Sequence, residues 1–173
     1  MAGSLIKIDE EIVTSAVASV DLGGSNWDSS YDVYVVKINN VRAVTDETNL
    51  RLRVLKSSSA DSTANYDKAL YDLKAYGAFG TQSGTNDTSF LVEASGNAST
   101  NSINGMFYLF NFNNASEYSF STVELTTETW FDGARGEAGG FVHTVASASN
   151  GVQFFISSGN ISAGTFTLYG LKK

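Results

Sequence analysis

The chain has 173 residues, contains neither proline nor cysteine, and carries a formal charge of −7 with a pI near 4.5. The lack of cysteine and the single histidine exclude disulfide scaffolds, zinc ribbons, thiol nucleophiles and Cys–His catalysis. The acidic balance opposes nucleic-acid binding, which needs clustered Lys and Arg, whereas 42% hydrophobic and 12% aromatic residues provide for a packed core rather than disorder.

In chain order, the dominant signal is alternation at period two, the mark of β-strands. Residues 5–16 open with Leu5-Ile6-Lys7-Ile8. Residues 31–44 place Tyr31, Val33 and Val35 on one face. In residues 50–55, Leu50, Leu52 and Val54 face one way, and Arg51, Arg53 and Lys56 the other. That is a half-buried antiparallel strand with a basic outer side. Residues 65–76 fit two patterns. Tyr66, Leu70, Leu73 and Tyr76 match a helical face, and Ala69, Tyr71, Leu73 and Ala75 match a strand face. The all-β context selects the strand. Residues 105–112 form a very apolar strand ended by Asn113-Asn114, and residues 117–129 alternate again. The last strands are 151–157 and 164–171. Stretches rich in Gly, Ser, Asn and Asp lie between, at 22–30, 57–65, 80–89, 95–104 and 158–163. Such residues turn the chain by accepting positive φ or bonding their own backbone. The expectation is one all-β domain over residues 1–173, an antiparallel sandwich of about eight to ten strands. No apolar run approaches the ~18 residues of a spanning helix, so no membrane span is expected. The opening Met1-Ala2-Gly3-Ser4-Leu5 has no long apolar stretch after a basic start, so no signal peptide is expected.

Chemistry is sparse. His143 sits in a strand pattern, where a general base would still need a partner. Carboxylates such as Asp61, Asp72, Asp132 and Glu137 are scattered, although a facing pair would be the requirement of a glycosidase. Asn26-Trp27-Asp28 and Asn86-Asp87-Thr88 have oxygens for calcium but equally form turns bonded to their own backbone. Residues 133–140, Gly-Ala-Arg-Gly-Glu-Ala-Gly-Gly, lack the Lys-Ser/Thr ending of a phosphate loop and are expected to be a flexible hairpin loop. Four Asn-x-Ser/Thr triplets, at Asn86, Asn97, Asn114 and Asn160, are close to chance for this composition. The candidate ligand-binding residues are Trp27, Trp130, Phe131 and Asp132, at strand ends or in loops. Aromatics there stack on sugars or anchor an interface, and they also close the edge of a sandwich core. No catalytic residue, metal or cofactor is expected.

The C-terminal run from Phe154-Phe155-Ile156-Ser157 into Gly159-Asn160-Ile161 and Gly164-Thr165-Phe166-Thr167-Leu168-Tyr169-Gly170-Leu171 resembles a known pattern. It is similar to the closing strands of β-sandwich domains in virion proteins of tailed bacteriophages. An early Tyr31-Asp32-Val33-Tyr34 strand running to Val41, and a strand ending in Phe112-Asn113-Asn114, are consistent with that group. The resemblance implies a jelly-roll type sandwich and a structural role without catalytic residues. The expected role is a capsid decoration, head-fibre or tail-associated subunit, located in the virion after assembly in the host cytoplasm. Its implied partners are capsid or tail proteins of the same phage and further copies of the chain, a trimer being favoured. The alternative it implies is a module binding host-surface glycans. Many members carry an N-terminal attachment domain, and with none visible in these 173 residues the expectation is a stand-alone subunit.

Overall fold

The computed structural model describes residues 4–95, 97–129 and 132–172. Within these residues the period-two segments pair as two antiparallel sheets that enclose one apolar core. The strands are β1 (Ser4–Val13), β2 (Ser19–Gly23), β3 (Val33–Ala43), β4 (Thr48–Lys56), β5 (Ser59–Ala60), β6 (Tyr66–Lys74) and β7 (Gly80–Asp87). They continue with β8 (Phe90–Ser95), β9 (Ile103–Phe110), β10 (Ser119–Thr129), β11 (Gly133–His143), β12 (Gly151–Ile156) and β13 (Ile161–Lys172). A single 3-10 turn, Gly24–Asn26, follows β2.

The spatial order explains the class. In one sheet β1-β13-β3-β9 are neighbours, and in the other β2-β12-β4, with β8 on the far side of β4. Successive strands β1 to β4 alternate between the sheets, and the last strand lies beside the first, giving two four-stranded layers of a jelly roll. The first sheet does not stop at β9. It continues through β10, β11, β6 and β7, making eight strands.

The core forms where both layers present apolar faces. Leu50, Leu52 and Val54 of β4 point inward and are buried, as their alternation predicts. Phe154 links the layers, with its ring centroid 5.5 Å from that of Phe107 and 5.2 Å from that of Phe166. On the outer side of β4, the Arg53 guanidinium sits over Phe155 of β12, 4.4 Å from the ring centroid.

Several expectations are corrected. There are 13 strands among the described residues, not eight to ten, because short strands were hidden in segments that looked like loops. Residues 133–140 are the first part of strand β11, paired with β10 on one side and β6 on the other. Their small side chains permit close strand contacts. A Cβ on Gly139 would lie 2.3 Å from the Ala69 carbonyl oxygen. Most of 80–89 is β7, the edge of the large sheet. Residues 65–76 do form a strand, but Ala69, Tyr71 and Leu73 face solvent, while Tyr66, Leu70 and Asp72 are buried.

Candidate functional site

Trp27 follows the 3-10 turn and is half-buried at the edge of the core. Its ring stacks on Tyr34, with centroids 3.9 Å apart, and a Cβ on Gly23 would come within 2.9 Å of Trp27 Cε3. The indole N–H donates to Asn113 Oδ1 at 2.8 Å. Asn113 Nδ2 in turn donates to Tyr34 OH at 2.7 Å and to the Tyr31 carbonyl at 2.8 Å. Asn113 thus ties the β2–β3 connection to the β9–β10 loop. Ring face and N–H of Trp27 are both occupied by the protein itself.

Asp132 lies at the other end of β10. Trp27 meets the loop that precedes β10, and Asp132 belongs to the turn that follows it. Eleven residues of extended strand separate these ends, roughly 36 Å at about 3.3 Å per residue. The two residues therefore do not share a site. Trp130 and Phe131 lie outside the described residues.

Asp132 is buried in an ionic cluster on the inner face of β6 and β11. Arg135 grips Asp72 with a two-pronged contact, Nε to Oδ1 at 2.8 Å and Nη2 to Oδ2 at 3.2 Å. Lys74 Nζ stands 3.4 Å from Asp72 and 3.5 Å from Asp132. Glu137, 1% exposed, accepts from Gln82 Nε2 at 2.7 Å and lies 3.9 Å from Arg135. Burial also pushes the Lys68 ammonium below its usual range, with Glu137 and Asp87 opposing the shift. The pairing of carboxylates with cations neutralises the charge that burial would otherwise penalise. This is a lock between strands, with its carboxylates held by Arg135 and Lys74 rather than presented to a substrate.

A second buried polar cluster surrounds His143, which is fully buried. Its Nε2 is 3.2 Å from Asp61 Oδ2, and Lys56 Nζ is 2.7 Å from the same oxygen. Burial and the nearby Lys56 hold the imidazole below its usual range, against the pull of Asp61. Burial raises the Asp61 carboxyl, but hydrogen bonds from Lys56 and Thr63 outweigh it and hold the group well below the usual carboxylate range. Tyr66 OH donates to the Asp61 carbonyl, and burial pushes its phenol upward. The pair is enclosed by the fold and is not presented to solvent.

Of the two calcium candidates, Asn26-Trp27-Asp28 leads into a turn, and Asn86-Asp87 ends strand β7 against β6. Asp28 Oδ1 accepts from Ser30 N at 2.9 Å, and hydrogen bonds from Ser30 lower its carboxyl. Asn86, at φ 57°, donates its N–H to Asp67 Oδ1 at 2.9 Å. Among the described residues no group of three or more His, Asp or Glu side chains is placed to hold a metal ion.

The surface feature that remains is the outer face of the eight-stranded sheet. Tyr71 of β6 is 65% exposed on this face, while Tyr76 and Phe79, 69% and 72% exposed, belong to the β6–β7 connection at its edge. Phe120 and Leu73 on the same side are partly exposed. Beside Phe120, a depression of about 410 Å³ opens over Ala69, Gly84 and Gly140, where the sheet has no large side chain. Val35 also belongs to this outer face. It is buried yet lies outside the inter-sheet core, with Tyr108 and Tyr169 in register on the flanking strands. Sequence reasoning saw the Ala69-Tyr71-Leu73 alternation and missed that it points outward. No family model, curated protein or solved structure matches this chain.

Proposed function

We propose that the chain is a structural subunit of a tailed-bacteriophage virion, a capsid decoration, head-fibre or tail-associated protein acting by protein–protein attachment. The observation that carries this reading is the outer face of the large sheet, where Tyr71, Leu73 and Phe120 are exposed, with Tyr76 and Phe79 uncovered in the adjoining β6–β7 connection. Exposed apolar surface that gathers on one face marks interaction surfaces in proteins. The context comes from the resemblance of residues 154–171. That segment forms β12, the turn at Gly159 and β13, and so supplies one inner strand to each layer of the jelly roll. Cryo-electron reconstruction of purified particles tests the reading. The expected result is density for this sandwich on the capsid or tail, and its absence from particles that contain every other structural protein overturns it.

The exposed rings also favour a second reading, a module that binds host-surface glycans by stacking on sugar faces. Tyr76 and Phe79 are its candidate residues, because Trp27 is already engaged by Tyr34 and Asn113. A glycan array probed with the wild-type chain and with a Tyr76→Ala, Phe79→Ala variant tests it. Binding that the variant loses supports this reading, and a blank array removes it.

A further inference from the structure

We propose that the outer face of the eight-stranded sheet is the surface on which one copy of this chain packs against a second copy, basic flank on acidic flank. The proposal rests on the self-association part of the subunit reading and not on the virion itself.

Charge on this face is segregated by strand. Lys37 and Arg42 of β3 point away from the core, since their neighbours Ile38, Val41 and Ala43 are buried in it. Glu124 and Glu128 of β10 point the same way, alternating with the buried Val123, Leu125 and Thr127. Among the described residues none of these four side chains has an ion-pair partner. Between the flanks runs β9, whose outward Met106, Tyr108 and Phe110 are half-buried. The face therefore reads positive, apolar, negative across three adjacent strands.

That order is self-complementary. A two-fold axis along β9 sets the β3 flank of one copy over the β10 flank of the other, twice. Lys37, Met106 and Glu124 lie in one cross-strand row, so Lys37 of each copy meets Glu124 of the other across a Met106 centre. Tyr169, Val35, Tyr108, Thr122 and Gly140 form the next row. The same rotation brings the half-buried Tyr169 ring opposite the Gly140 depression, a large side chain facing a gap.

The area is of the right size. About an axis on β9, the fourth strand in the sheet, seven of the eight strands overlap; about 4.8 Å apart they span roughly 29 Å, and eight residues at about 3.3 Å run roughly 26 Å. The face thus offers on the order of 750 Å², close to the ~800 Å² per partner of a standard stable interface.

The test is a charge exchange read by solution mass, using light scattering and sedimentation on the full chain. Lys37 and Glu124 are exposed, so Lys37→Glu and Glu124→Lys leave the core alone, and circular dichroism with a thermal melt verifies the fold. The wild type is expected to run as a dimer, and each single reversal to weaken assembly by about tenfold or more by opposing like charges. The double exchange Lys37→Glu, Glu124→Lys is expected to restore it. A monomeric wild type, single reversals that leave the mass unchanged, or a double exchange that fails to restore assembly each overturns the proposal. A wild-type oligomer missing from purified particles leaves this interface standing and removes the virion reading.

Discussion

The jelly-roll half and the four-strand extension are built on the same period-two pattern, yet only the extension adds a buried ionic cluster to its apolar inner face. In the jelly roll, Leu22, Val36, Leu52, Phe107, Phe154 and Phe166 meet across the two layers and are fully buried or nearly so. In the extension, the inner face carries Asp72, Arg135, Glu137, Ser121 and Thr127 beside the core residues Leu70, Val123, Leu125 and Phe141. The second sheet reaches only its near end, where Phe90 of β8 packs on Tyr66 at 4.8 Å and Phe141 at 4.5 Å. Beyond that point an ionic lock takes the place of a second apolar layer. Apolar burial is insensitive to pH and direction, whereas an ionic lock requires every partner in position. The two halves should therefore fail in different ways.

The largest effect is expected from the jelly roll. Phe154→Ala leaves a cavity between the layers and should lower global stability by about 4 kcal/mol, measured by chemical denaturation. Next is the lock. Arg135→Ala strands Asp72 and Glu137 in a buried setting and should cost about 3 kcal/mol. Hydrogen exchange should show the loss concentrated in β6, β7 and β11, with β12 and β13 still protected. Uniform loss across both sheets would erase the distinction between the halves.

A smaller effect comes from acid, at the junction of the two regions. The unfolded chain protonates this histidine near pH 6.5, while the folded chain resists doing so because burial and Lys56 oppose the charge. The unfolded state thus binds more protons as pH falls, so stability is complete above about pH 6.5 and declines below it. Asp61 adds a second decline below its ordinary value of 3.8, because its folded carboxylate is favoured by Lys56 and Thr63. His143→Phe should abolish the first decline and retain the second, as followed by thermal melts across pH. The smallest effect is expected at the jelly-roll edge. Trp27→Phe keeps an aromatic ring against Tyr34 but loses the bond to Asn113, a cost of about 1 kcal/mol.

Much of the jelly roll was legible in the sequence, because Leu50-Leu52-Val54 and Phe166-Leu168 alternate cleanly against polar neighbours and both sets are buried. The extension was not. Residues 133–140 have the composition of a loop, and nothing local shows that Gly139 must fit under the Ala69 carbonyl oxygen between two neighbouring strands. In β6 the alternation was visible but its direction was not. Hydrophobicity alone turns Tyr71 and Leu73 inward, whereas Asp72 is the buried residue because Arg135, distant in sequence, is there to meet it. The separation of the candidate residues Trp27 and Asp132 was hidden for a related reason. Residue type marks both as sites of interest, and only the path of β10 shows that they stand at opposite ends of it.

The sequence by itself determined that this is an all-β protein, because side-chain alternation is a local property that strand geometry converts directly into faces. It also determined where the jelly-roll layers find their apolar sides. Tertiary structure decided which face of β6 is inside, since burying a carboxylate depends on a cation brought from another strand. It likewise decided that Lys37 and Arg42 stand one apolar strand away from Glu124 and Glu128. That juxtaposition joins residues more than eighty positions apart, and strand order across the sheet creates it.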